Sequence, residues 1–263
     1  MIILRALYNY RGFILGSVQR EFQSKYSNSI LGAAWNVINP LAMILVYTLI
    51  FAKMMKSRLP GEDSEFAFSI YLCAGILTWG LFAEIAGRAQ TVFLENANLL
   101  KKISFPRLCL PTIVVLNALL NFGIVFSVFT AFLIATGNFP GIVFLGVFPL
   151  LLIQIAFSIG LGITLGVLNV FFRDVGQFFG VVLQFWFWLT PIVYSASILP
   201  EGMASAMAYN PMAGLISGYH AIFLKAQWPD WSSLWFVTVL SIIICGVGLR
   251  LFRRNAGEMV DEL

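Results

Sequence analysis

Residues 98–136 read Asn98-Leu-Leu-Lys-Lys-Ile-Ser-Phe-Pro-Arg107 and then, without a break, LCLPTIVVLNALLNFGIVFSVFTAFLIAT to Thr136. A basic connection leads straight into an apolar run longer than the about 20 helical residues that cross a bilayer. Read as a buried helix of a soluble domain, the run would need a polar exterior elsewhere in the chain. The composition refuses that. The 263 residues are 60% hydrophobic and only 11% charged, where a soluble domain has about a quarter of its residues charged. A mean hydropathy of +0.89 agrees. The chain is therefore expected to be an all-α integral membrane protein.

Working outward, six apolar runs qualify as spans, near residues 31–52, 66–86, 108–136, 142–171, 178–197 and 234–252. With the N-terminus inside, the inner segments hold twelve basic residues and the outer ones four, namely Lys53, Lys56, Arg58 and Lys225. The positive-inside rule then puts both termini in the cytoplasm. The outer group at 53–58 is discordant, with Glu62, Asp63 and Glu65 close behind it. No cleavable signal peptide is expected at the N-terminus. Net charge is +4 and dispersed, which argues against nucleic acid as a partner.

Before the first span, Ile3, Leu7, Tyr10, Ile14, Val18 and Phe22 step by three and four into one helical stripe. Arg5, Asn9, Gln19, Arg20 and Gln23 fall mainly opposite, while Arg11 and Glu21 break the pattern. Residues 1–30 thus form an amphipathic segment, either on the inner membrane surface or against the protein's own spans; the two are compatible. Residues 191–231 are too apolar for a free outer loop and are punctuated by Pro191, Pro200, Pro211 and Pro229. Asn210-Pro211 has the form of an N-cap followed by proline at the first helical position, opening a short helix toward Leu224. Short external re-entrant helices rimming a cavity or pathway are expected here.

Several chemistries are absent. There is no G-x-x-x-x-G-K-[ST] loop, no HExxH and no G-x-S-x-G elbow. His220, the sole histidine, is expected to be a structural hydrogen-bonder. Cys73, Cys109 and Cys245 follow no metal spacing. Glu84, with Arg88 four residues on, is the clear ionisable site within a span. It either shapes a pathway wall or ties a helix end. Aromatic residues make up 15% of the chain. Tyr71, Trp79 and Phe82 on the second span, and Phe185, Trp186, Trp188 and Tyr194 on the fifth, are candidates to line a channel on which sugar rings stack. Interfacial anchoring and core packing are expected to account for most of the aromatics, these included.

The order of motifs resembles the type-2 ABC exporter permeases that move polysaccharides. Residues 98–107, continued to Pro111, loosely resemble their Asn-x-x-Leu-(Leu/Ile)-Lys-Lys-x-x-Phe-Pro-Arg pattern, which they follow from its Leu-Leu-Lys-Lys onward. KYSNSILGAAWNVINP matches a second pattern at Lys25, Tyr26, Ser29, Leu31, Gly32, Trp35 and Pro40. Asn169-Val-Phe-Phe-Arg-Asp174 resembles the inner turn after the fourth span, and Asn210-Pro211-Met212 the external re-entrant part. The set is most similar to permeases of O-antigen exporters (Wzm-type), with capsule and teichoic acid permeases near.

The resemblance implies a single transmembrane domain over residues 1–263, with six spans, located in a bacterial inner membrane. Two copies would form the channel and two copies of a separate ABC ATPase would bind ATP and Mg, so this chain would need no cofactor and catalyse no reaction. The substrate would be a polysaccharide carried on undecaprenyl diphosphate. Residues 87–107 would form cytoplasmic coupling and gate helices. Asn98, Leu99, Lys101, Lys102, Phe105, Pro106 and Arg107 would meet the ATPase or the headgroup there, with Arg173 and Asp174 on the neighbouring turn. Lys101 and Lys102 also read as ordinary positive-inside residues. Arg5, Arg11, Arg20, Lys25 and Tyr26 would flank an entrance for the lipid diphosphate among membrane lipids. The rivals are a lone channel or secondary transporter, a membrane enzyme on lipid-linked sugars, and a drug-exporting relative with the same plan.

Overall fold

A computed structural model describes residues 2–26, 32–49, 66–102, 105–195, 200, 202, 207 and 209–263. Every regular element among them is helical. In chain order they are α1 (Ile2–Asn9), α2 (Arg11–Tyr26), α3 (Trp35–Tyr47), α4 (Ala67–Glu95), α5 (Ala97–Lys102), α6 (Cys109–Ala135), α7 (Val147–Phe171), α8 (Asp174–Trp188), α9 (Pro211–Lys225), α10 (Trp235–Asn255) and α11 (Glu258–Glu262). A 3₁₀ segment, Gly141–Gly146, leads into α7.

Four of these are long and apolar enough to cross a membrane: α4, α6, α7 with its 3₁₀ lead, and α10. They coincide with four of the six expected spans. The other two differ in length. The first expected span appears as α3, with a shorter apolar stretch at Val37–Val46. The fifth appears as α8, 15 residues long, where about 20 are needed to cross. Pro191 lies just past its end, and a proline disfavours helix in the residue before it. The expected group at 53–58, together with Ser29, Leu31 and the ends of the first expected span, lies outside the described residues.

α4 is the central helix. In its most apolar window 67% of residues are buried, against 22% for α6 and for α10. It also outruns its expected end at residue 86 and continues to Glu95, where Asn96 accepts from Leu99 and Leu100 to begin α5. No proline or second glycine interrupts the turn after Gly87, and Arg88 finds acid partners instead of ending the span.

Close approach of backbones holds α4 to α7. Without a hydrophobic difference between helix and lipid, small residues at the contact drive such packing. Gly162-Ile-Thr-Leu-Gly166 supplies them: a Cβ at Gly162 would lie 2.5 Å from the Ala89 Cβ, and one at Gly166 2.7 Å from the Ala89 carbonyl oxygen. A buried polar group stitches the same helices farther along. Gln154 Nε2 donates to the Thr78 carbonyl at 2.7 Å and its Oε1 accepts from the Tyr219 hydroxyl at 3.1 Å. Buried polar groups inside a bundle need such partners, because no water is there to replace them.

α9 lies within the bundle, with Met212, Leu215, Ile216 and Ile222 fully buried. Its expected cap is present. Asn210 Oδ1 accepts from Met212 N at 3.1 Å and Ala213 N at 3.4 Å, with Pro211 opening the helix. The same oxygen accepts from the Trp186 indole at 2.9 Å, and Nδ2 reaches Thr190 Oγ1 at 3.1 Å, which anchors the end of α8. Asn210→Ala should therefore destabilise the fold by about 2 kcal/mol, more than a cap alone, because the indole N–H also loses its partner. Asn210→Asp keeps the acceptor and should recover most of the loss of thermal midpoint. Beyond α9, Asp230 opens the turn into α10. The Ser232 hydroxyl and backbone N–H donate to its carboxylate and hold it below the usual carboxylate range.

Candidate functional site

The C-terminal ends of α4, α7 and α10 and the start of α6 meet at one end of the bundle. They share a core of Val92, Phe93, Leu110, Val114, Val167, Val170 and Phe252. Lys101, Lys102, Arg107, Arg173, Arg250, Arg253 and Arg254 belong to this end, so sequence charge asymmetry and three-dimensional position agree. The N-terminal helix packs here too. Ile14 and Val18 are buried against Cys109 and Ile113 of α6, with Leu7 and Phe13 beside them. Leu7, Ile14 and Val18 of the apolar stripe therefore lie against the protein's own span, while Tyr10 is exposed. Arg5, Arg11 and Arg20 are exposed on its other side, as is Lys25. Arg11 sits 4.4 Å over the Tyr8 ring and Arg20 donates to Ser17 at 3.0 Å. The side chain of Tyr26 lies outside the described atoms.

α5 is a display element. Leu100 is buried and Leu99 packs on the same core, which fixes the helix and leaves Asn98, Lys101 and Lys102 exposed. Phe105 closes the connection by packing on Phe13, ring centroids 5.2 Å apart. Pro106 and Arg107 then start α6 through their carbonyls, which accept from Cys109 N at 2.8 Å and Leu110 N at 3.1 Å. Proline suits that place, since it carries no N–H to leave unpaired. Arg107 Nη1 is buried and has no hydrogen-bond partner among the described residues.

Arg173 and Asp174 lie on the adjoining turn, both exposed, where α7 passes into α8. What fixes that turn is Asn169, whose structural role only the motif hinted at. It is buried, donates to the Gln90 carbonyl at 3.0 Å and accepts from Gly176 N at 3.0 Å, joining α4, α7 and α8.

The break in the N-terminal stripe at Glu21 has a cause. Its carboxylate pairs with Arg88 on α4 and accepts from Asn117 Nδ2 on α6 at 2.5 Å. Glu84 lies 3.6 Å from Arg88 and accepts from Asn121 at 2.7 Å. Sequence spacing yields only the Glu84–Arg88 pair; Glu21, Asn117 and Asn121 join it through tertiary packing. A cavity of about 300 Å³ adjoins the group, lined by Phe13, Ser17, Glu21, Arg88, Val92 and Ile113 among others.

The aromatic candidates fall into two sets. Tyr71, Trp79 and Phe82 are buried. Phe82 stacks on Phe157 at 5.6 Å and meets the edge of Trp186 at 5.2 Å, and Trp79 lies 6.2 Å from Trp186. Phe185 and Trp188 on α8 are 65% and 64% exposed, so these two, unlike the first three, present rings outward in this conformation. Tyr194 is half-buried and donates to the Trp188 carbonyl at 3.0 Å. Tyr71 donates to the Tyr194 carbonyl at 2.6 Å and lies 2.9 Å from that of Pro191, so it fastens the irregular segment after α8. His220 stacks on Tyr71 at 3.9 Å with Nε2 3.0 Å from the Tyr71 carbonyl, the structural hydrogen bond expected of it.

The described residues form a multi-pass helical bundle with a basic end, a packed N-terminal helix and a displayed Lys-Lys helix, which is the plan of an integral membrane protein. Residues 14–224 match the family model described as ABC-2 type transporter, and the chain belongs to that family. It is 31% identical over 264 residues to the O-antigen export system permease protein RfbA of Myxococcus xanthus, covering 99% of both chains. It is 30% identical to the protein of the same name from Klebsiella pneumoniae, covering 89% of this chain and 88% of that one. It is 21% identical to the polysialic acid transport protein KpsM of Escherichia coli, covering 92% of this chain and 93% of that one.

Proposed function

We propose that the chain is the membrane-spanning permease subunit of an ATP-driven exporter that carries undecaprenyl-diphosphate-linked O-antigen polysaccharide out across a bacterial inner membrane. The end-to-end similarity to O-antigen export permeases carries the reading. In it, two copies form the channel, α3 and α8 together with the residues that flank them complete six crossings per copy, and the segment 191–231, including α9, re-enters from outside. Two copies of a separate ABC ATPase bind ATP and Mg. The basic end faces the cytoplasm by the positive-inside rule. The mechanism is mechanical: closure of the ATPase dimer pushes α5 and the N-terminal helix, and differential contact with two permease states supplies the driving free energy.

The residues divide accordingly. Asn98, Leu99, Lys101, Lys102, Phe105, Pro106, Arg107, Arg173 and Asp174 form the coupling and gate surface. Arg5, Arg11, Arg20, Lys25 and Tyr26 attract the diphosphate at the entrance. Phe185 and Trp188 offer the stacking face for sugar rings, Trp186 and Tyr194 hold that wall, and Tyr71, Trp79 and Phe82 form the layer behind it. A capsule polysaccharide is the second reading, favoured by the weaker similarity to the polysialic acid transport protein.

The test is co-purification of the tagged chain from cells that co-express its genomic neighbours, followed by export of lipid-linked polysaccharide in reconstituted vesicles. A stoichiometric soluble ATPase and ATP-dependent export are expected. Transport by the chain alone, with no ATPase present, overturns the reading in favour of a channel or secondary transporter.

A further inference from the structure

We infer that Arg88 is a two-partner latch that fastens the N-terminal helix α2 to the spans and releases it reversibly. The arrangement has more acceptors than donors. Arg88 pairs with Glu21 on α2, while Glu84, one turn back on its own helix, stands 3.6 Å away. Asn117 doubles the hold on Glu21, and Asn121 keeps Glu84 in place. The Arg88 and Glu21 side chains are 36% and 41% exposed, so water screens the pair, and parting it is costly mainly where it strands a charge. Here it does not. If α2 moves off, Arg88 closes onto Glu84, and Asn121 already supports that second partner. Glu21 moves with α2 into water. One guanidinium between two carboxylates on different bodies is a bistable element, the kind on which discrete transitions are built.

What lies beneath α2 gives the release a purpose. The cavity of about 300 Å³ is walled on one side by Phe13, Ser17 and Glu21 and on the other by Arg88, Val92 and Ile113. Departure of α2 opens that cavity sideways and leaves Arg88 with Glu84 as its one acid partner, so the guanidinium keeps N–H groups free for a phosphate, the group it is best shaped to meet. The latch rests on the exporter reading only for what it admits, an amphiphile with a phosphate headgroup. The motion itself does not depend on that reading.

Cys109 is a native reporter, fully buried and packed under Ile14 and Val18. The chain in lipid nanodiscs is treated with N-ethylmaleimide, and the labelling rate at each cysteine is followed by mass spectrometry. Glu21→Gln should raise the Cys109 rate about three- to fivefold, the worth of an ion pair whose two side chains are both partly exposed. Glu84→Gln should lower it below wild type, because Arg88 then has no second partner. The double reversal Glu21→Arg with Arg88→Glu should return it toward wild type. A Glu21→Gln rate within about twofold of wild type overturns the latch. A Glu84→Gln rate at or above wild type overturns the two-partner switch. A parallel rise at Cys73, buried in α4 away from α2, marks general loosening and also overturns it. No ATPase or sugar enters the assay, so its outcome is separate from the fate of the export reading.

Discussion

Gly162→Val should remove most of the folded protein from the membrane, and Gly166→Val should do the same. The added Cβ at Gly162 would sit 2.5 Å from that of Ala89, and at Gly166 2.7 Å from the Ala89 carbonyl and 3.3 Å from the Phe93 ring. Ala86, Ala89 and Phe93 have no exposed surface, so the neighbours cannot yield into open space. The helices must separate, and the whole α4–α7 interface, with the Gln154 and Asn169 hydrogen bonds across it, loosens with them. Overpacking a core costs about 1–3 kcal/mol and more when backbone must shift, a large part of a marginal stability. The measurement is monodisperse yield and thermal midpoint in detergent. Gly123→Val is the control, because a Cβ there meets nothing within 4 Å. Equal stability of Gly162→Val and Gly123→Val would show that α4 and α7 do not meet in this way.

This contact also marks where the sequence stops being legible. Apolar run length located α4, α6, α7 and α10, because the bilayer sets a length that composition alone reveals. Asn210-Pro211 announced a helix start, since cap chemistry is local. That the helix expected after residue 86 runs on unbroken from the second span to Glu95 was not visible. Arg88 looks like the end of a span until Glu21, far away in sequence, is seen to pair with it. The stripe on α2 was legible, but the packing of Ile14 and Val18 on Cys109 and Ile113 was not, because periodicity is the same against lipid and against protein. The aromatic candidates divide into buried and exposed sets for a similar reason. A helix of this kind is apolar all round, so no periodicity separates the face toward Phe157 from the face outward.

Reversing Lys101 and Lys102 together to Glu should abolish export while leaving the chain folded. Both side chains are exposed on α5, and neither takes part in an ion pair among the described residues. Exposed substitutions of this kind change stability by about 0.5 kcal/mol or less. Leu100 and Leu99, which hold α5 on the core, are untouched. The effect must then fall on whatever approaches α5 from outside. Placing like charges across an interface costs several kcal/mol, so a loss of at least about a hundredfold is expected from the double reversal. The measurement separates the roles given to this helix. Loss of ATP hydrolysis in the purified complex together with export makes α5 a coupling surface. Hydrolysis retained with export blocked puts the lysines at the path of the anionic headgroup, where charge reversal repels the substrate and leaves the ATPase alone. Salt distinguishes the two further: attraction to a mobile headgroup weakens as ionic strength rises, because exposed charges are screened over about 10 Å at 0.1 M, whereas a docked interface with its partner excluded from water is screened less. Export and hydrolysis both at wild-type rates would leave the lysines with orientation of the spans alone, and the search for the coupling surface would pass to Arg173 and Asp174 on the turn that Asn169 fixes.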